Sequence, residues 1–173
     1  MCEDYEAFEH VLVEGVQRYD MRLLAFCLMP NHWHLLVWPK ADGDLLRFMA
    51  WITLTHTQRW HAHRGSAGTG HVYQGRFKSF PVQEDDHFYT VGRYVERNAQ
   101  RARLAKRAEA WRWGSAWRMT HGDREARRLI AAWPLPRPRR WLDGLNEPQT
   151  EAELAALRRC VQRKQPTLSR NGS

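Results

Sequence analysis

The chain has 173 residues, 43% of them apolar and 12% aromatic, which is enough for one packed domain and argues against wholesale disorder. No run of about 18 apolar residues occurs, so no transmembrane helix is expected, and three widely separated cysteines without a Cys-x-x-Cys pair argue against a disulfide framework or a zinc ribbon. The formal net charge of +8 is unevenly placed: residues 1–40 carry three basic and six acidic side chains, residues 41–120 thirteen and seven, and residues 121–173 eleven and six. Clustered cations of this kind suit a polyanion, because they release counterions from a phosphate backbone. The acidic start, Met1-Cys2-Glu3-Asp4, lacks the basic-then-apolar order of a signal peptide, so a cytoplasmic location is expected.

In chain order, Phe8, Leu12, Val16 and Tyr19 fall at helical spacing and predict a helix over residues 3–19. "RLLAFCLM" (22–29) and "HWHLLVW" (32–38) predict two buried strands joined at Pro30-Asn31 as an antiparallel hairpin. Asp44 starts a second helix to about residue 60, with Leu45, Met49 and Ile52 on one face. "RGSAGTG" (64–70) reads as a loop and "HVYQGRFKSFPVQ" (71–83) as interrupted extended structure. Asp85 or Asp86 starts a third helix with Phe88, Val91 and Val95 inward. Past residue 120, "WPLPRPRRW" reads as a Pro/Arg linker and "TEAELAALRRCVQRK" as a short amphipathic helix. The fold class expected is α+β, with a small antiparallel sheet covered by helices. The expected division is a packed domain over 1–120 and a basic extension over 121–173.

Two histidines stand one residue apart inside the apolar second strand. Alternation puts His32 and His34 on one face and Trp33 on the other. At roughly 7 Å between i and i+2 positions, two imidazoles can converge on one metal ion. His61 and His63 have the same spacing but sit on a helix end, where i and i+2 do not share a face. On the third helix Tyr94 and Asn98 are i and i+4 and share a face. Asn98 offers a hard carbonyl oxygen suited to Mg²⁺ or Mn²⁺. Arg93, Arg97 and Arg101 form a basic stripe suited to phosphates.

The blocks "LLAFCLMPNHWHLLV", "GHVYQGRFKSFPV", "YVERNAQRARLA" and "WRWGSAW", in this order, resemble the REP-associated tyrosine transposases, which are single-tyrosine HUH transposases. The resemblance spans residues 4–120. It implies an HUH or ferredoxin-like sheet with helices packed on it, a divalent metal on His32 and His34, a nucleophile at Tyr94 and a third ligand at Asn98. It implies nicking and rejoining of DNA through a 5′-phosphotyrosine, a covalent step that keeps the bond energy for rejoining. Arg76 and Lys78 of "GRFKS", with Arg93, Arg97 and Arg101, are the expected DNA contacts. The expected substrates are single-stranded or hairpin DNA from repetitive palindromes, with no membrane partner and a monomer or homodimer as the acting species. Members normally carry a strand before the first helix. The chain begins at that helix, so a smaller sheet with an open edge and a weakened activity are expected. Two other readings use the same residues: a nucleic-acid-binding protein that has lost catalysis, and a metal-dependent phosphodiesterase that uses water.

Overall fold

The computed structural model describes residues 2–65, 72–73, 77–82 and 85–162. Helix α1 (Cys2–Arg18) leads into strands β1 (Arg22–Leu28) and β2 (Trp33–Trp38), then α2 (Asp44–Arg64), α3 (Asp85–Glu96) and α4 (Asn98–Arg101). A 3-10 turn at Ala108–Ala110 precedes α5 (Ser115–His121), α6 (Arg124–Arg127), α7 (Trp141–Asn146) and α8 (Glu151–Gln162). The class is α+β, as the sequence predicts.

β1 and β2 form an antiparallel hairpin running from Leu28 opposite Trp33 to Arg22 opposite Trp38, with a bulge between Leu23 and Ala25. Met29 N donates to His32 O at 2.8 Å and closes the turn at Pro30-Asn31. That bond takes the His32 carbonyl into the turn, so β2 starts at Trp33 rather than at His32.

Helices cover both faces of the hairpin. Leu23, Phe26 and Leu28 pack with Phe8, Val11 and Leu12 of α1 and Phe48, Met49 and Ile52 of α2, and Trp33, Leu35 and Val37 border this cluster. On the other face, Leu24, Ala25 and Leu36 pack with Phe88, Val91 and Val95 of α3. α1 and α2 approach closely at Gly15, where a Cβ would lie 3.1 Å from Ile52 Cγ1 and 3.3 Å from Phe48. A Gly15→Ala change must therefore push the two helices apart or displace core side chains, which costs typically ~1–3 kcal/mol. α2 runs one turn beyond the expected end, and the left-handed Gly65 (φ 59°) stops it by donating to His61 O.

No described strand pairs with the far edge of β2. The outer edge of β1 is covered by later residues. Leu28 N donates to Trp113 O at 2.9 Å and Ala131 N to Leu23 O at 2.7 Å. The indoles of Trp111 and Trp133 donate to Leu28 O and Leu24 O, each at 2.8 Å. Ser115 Oγ accepts from Phe26 N at 3.0 Å. These donors and acceptors fill backbone sites that a third strand would fill, which suppresses edge pairing.

The Pro/Arg stretch expected to be a linker is packed. Trp133 and Leu135 border the α3 cluster, and Leu157 of α8 is buried in it. α8 opens with a capping box, in which Thr150 N donates to Glu153 Oε2 at 2.7 Å and Glu153 N donates to Thr150 Oγ1 at 3.2 Å. A linker reading fails because proline and arginine report local backbone stiffness and charge, while packing here depends on the two flanking tryptophans.

Candidate active site

The β2 face that meets α3 carries His34, with His32 two residues earlier on the same side. Their ring centroids are 5.0 Å apart and nearly perpendicular. Trp33 goes to the opposite face and stacks on Phe8 at 5.9 Å, so the alternation read from the sequence holds. α3 brings the Tyr94 ring edge-on to His34 with centroids 5.5 Å apart. Asn98, 2% exposed, opens α4 after a break at Arg97. The expected single helix is thus two, joined by Arg97 N donating to Arg93 O and Arg101 N to Arg97 O, both at 2.9 Å.

Arg101 links the two α-helical residues. Its Nη2 donates to Tyr94 Oη at 3.2 Å and to Asn98 Oδ1 at 3.4 Å. Its guanidinium lies over the Tyr94 ring at 4.6 Å from the centroid. A fixed positive charge beside the phenol oxygen stabilises negative charge on it.

The donor set suits a divalent cation. His32 Nδ1 donates to Asn31 Oδ1 at 2.7 Å, which leaves Nε2 with its lone pair. His34 Nε2 and Asn98 Nδ2 are buried with no partner among the described residues. A buried polar atom without a partner costs roughly 1–3 kcal/mol, a cost that a ligand on this imidazole nitrogen would relieve. The Asn98 carbonyl retains a second lone pair beside Arg101. Two imidazoles and one amide fit Mg²⁺ or Mn²⁺ completed by water or phosphate oxygens. Among the described residues no group of three or more His, Cys, Asp or Glu side chains gathers, here or elsewhere.

Burial, then His32 and Arg101, hold the His34 imidazole down to about 4, and burial followed by Arg101 lowers His32. Burial also lowers His56 on the opposite face. Both His34 and His56 are therefore neutral at pH 7 when folded. Below about 6.5 the unfolded chain takes up these protons first. Stability of the EDTA-treated chain is expected to fall as pH drops from 6.5 towards 4, with His34 contributing ~3 kcal/mol at most. Urea midpoints measured across that window check this; a flat profile rules it out.

The predicted DNA contacts separate. Arg76 lies outside the described residues, and Lys78 is exposed in a stretch without regular structure. Arg97, half-buried, is lowered by burial and then by its neighbours Arg93 and Arg101, so the three cations are close enough to repel. Arg93 is engaged within the chain, its Nη1 meeting Glu153 Oε1 at 2.8 Å and its Nη2 donating to Glu147 O at 3.0 Å. Arg97 Nε donates to Gln100 Oε1 at 3.1 Å and Arg101 Nη2 holds Tyr94 and Asn98, so this repelling pair stays at the α3–α4 junction with guanidinium donors left over.

Sequence reasoning missed Glu96. It is 2% exposed between Tyr94 and Asn98. Ser115 Oγ and Trp141 Nε1 each donate to it at 2.7 Å, and Arg137 Nη2 lies 3.8 Å away. Since Ser115 also bonds Phe26, this carboxylate ties the end of α3 to β1 and to α7. Gly92, two residues before Tyr94, lets Trp133 pack at 3.3 Å from where a Cβ would stand. The only local signal was a glutamate inside an otherwise basic stripe. His56 was also missed. It is 7% exposed, and its Nδ1 meets Tyr73 Oη at 2.7 Å, anchoring the segment that carries Lys78.

Residues 2–98, more than half of the chain, match a family model described as Transposase IS200 like. No curated protein and no solved structure matches the chain.

Proposed function

The chain belongs to the IS200-like transposase family, and from that premise we propose that it nicks and rejoins single-stranded or hairpin DNA through a 5′-phosphotyrosine at Tyr94. The observation that carries this reading is the meeting of Tyr94 with His34, whose buried Nε2 has no partner among the described residues. The resemblance to REP-associated members makes imperfect palindromic hairpins the expected substrates, and a cytoplasmic setting goes with them. No helix among the described residues is long and apolar enough to cross a membrane.

In this mechanism Tyr94 Oη attacks the scissile phosphorus and the bond to the 3′-oxygen breaks. The phenol proton passes to solvent, and the departing 3′-oxygen takes one up. Rejoining is the reverse, with a 3′-hydroxyl displacing the tyrosine, so no external energy source is needed. Arg101 steadies the Tyr94 oxygen and Arg97 stands by to hold the phosphate, with Lys78 and Arg76 on the flanking backbone. Arg93 instead holds α3 against α8. A divalent ion on His32, His34 and Asn98, when bound, supplies Lewis acidity at the phosphate and at the leaving oxygen.

The test is a labelled hairpin with a single-stranded flank, incubated with the chain and Mn²⁺ and resolved under denaturing conditions. A protein–DNA adduct carrying the fragment on the 3′ side of the cut, joined through its 5′-phosphate, supports the proposal. Cut DNA with a free 5′-phosphate supports the water-using reading, and binding without cutting supports a non-catalytic one. Binding is also expected to favour hairpins with unpaired bases over blunt duplex and to weaken steeply with salt. Trp38, 40% exposed with Arg22 stacked 3.6 Å from its ring centroid, is one surface on which a base can stack. Equal affinity for blunt duplex in a competition assay counts against that preference.

A further inference from the structure

We propose that a cleft between α5 and the Arg137–Asp143 stretch binds the phosphate backbone of a DNA strand outside the segment that is cut. The inference rests on the reading of the chain as a DNA-acting enzyme and adds a second place of contact. The cleft has a volume of about 460 Å³. Arg137, Arg139 and Arg140 line one side, Ala116 and Met119 of α5 the other, and the Trp141 indole is part of the wall. Three guanidiniums thus come from four consecutive positions, with Asp143 the one carboxylate among the lining side chains.

The wall is stiff. Pro136 and Pro138 restrict the backbone on either side of Arg137. Arg137 lies 4.0 Å above the Trp133 ring and 3.8 Å from Glu96, so it is held in place. Trp141 is buried, with its N–H committed to Glu96. Arg139 and Arg140 are exposed, and Arg140 meets Asp143 at 2.8 Å in a pair too exposed to contribute much to stability. Two flexible cations at the mouth of a fixed concavity, with apolar wall beneath, suit a phosphate at the rim and a sugar against Met119. Glu96 joins this wall to α3 two residues after Tyr94. The cleft is therefore set at a fixed position relative to the nucleophile, as a stem-holding site needs to be.

The test uses the full chain carrying Arg139→Gln and Arg140→Gln together. Its binding to a fluorescent hairpin with a single-stranded flank, and to a short single strand, is measured in EDTA across a salt series. Loss of two phosphate contacts lowers the slope of log affinity against log salt by roughly 2 on the hairpin and its affinity by about tenfold or more. The short single strand binds as before, and its adduct yield with Mn²⁺ is unchanged. An unchanged slope on the hairpin overturns the proposal. So does an equal loss on both DNAs, or an equal loss from Arg158→Gln with Arg159→Gln, a matched charge removal on exposed positions of α8. Binding in EDTA needs no cleavage, so a chain that forms no adduct yet shows the slope change disproves the transposase reading and leaves the cleft standing.

Discussion

Tyr94→Phe is expected to abolish the covalent adduct with DNA, lowering its rate of formation by roughly 10³-fold or more. The substitution removes one oxygen. It keeps the ring edge on His34 at 5.5 Å and the Arg101 guanidinium over the ring at 4.6 Å. The lost hydrogen bond to Arg101 is exposed, so the stability change stays below about 1 kcal/mol. Hairpin affinity in EDTA is expected to stay close to that of the unsubstituted chain, because Arg97 and Lys78 are untouched. The chain's four other tyrosines are poor substitutes. Tyr73 is half-buried against His56, and desolvation pushes its phenol up to about 12. Tyr89 donates to Pro136 O at 2.8 Å. Tyr5 and Tyr19 pack against the α1–α2 core. Mass mapping of the adduct decides the matter: a DNA-linked peptide containing Tyr73 or Tyr89 removes Tyr94 from the role.

The second large effect is expected from His34→Ala. Metal-dependent cleavage is lost, and Mn²⁺ affinity measured by titration calorimetry falls by roughly 10–100-fold or more. DNA binding in EDTA is largely retained, since the imidazole is neutral and contributes no charge to phosphate binding. Stability changes little, because the cavity left by the ring is offset by removal of a buried nitrogen without a partner. The variant also flattens the fall of stability between pH 6.5 and 4, which separates its effect on proton binding from its effect on metal. His32→Ala is expected to lose the metal as well but to leave that pH profile nearly intact, because His32 is exposed beside the turn. Normal Mn²⁺ affinity in both variants removes the histidine pair from the metal site.

The sequence by itself determined the hairpin, the helices on either side of it and the sharing of one strand face by His32 and His34. These follow from periods of 2 and 3.6 residues and from the Pro30-Asn31 turn, which are local and act within a few residues. It also placed Tyr94 and Asn98 one turn apart beside Arg97 and Arg101, on what reads as a single helix; the break at Arg97 came only with the structure.

Only the tertiary structure decided which strand face α3 meets, and hence that Tyr94 reaches His34 across about sixty residues of chain. It alone showed that Arg93, read as a phosphate contact, pairs with Glu153, and that Glu96 anchors the end of α3. It also turned the Pro/Arg stretch from a linker into packed wall, because Trp133 reaches Leu24 O, 109 positions away in sequence. The physical reason is common to these cases. A charged or aromatic side chain has the same local signature whether water, a distant carboxylate or a core receives it. Its partner is fixed by burial, which charges an unpaired polar group several kcal/mol and so selects one long-range arrangement that no local pattern records.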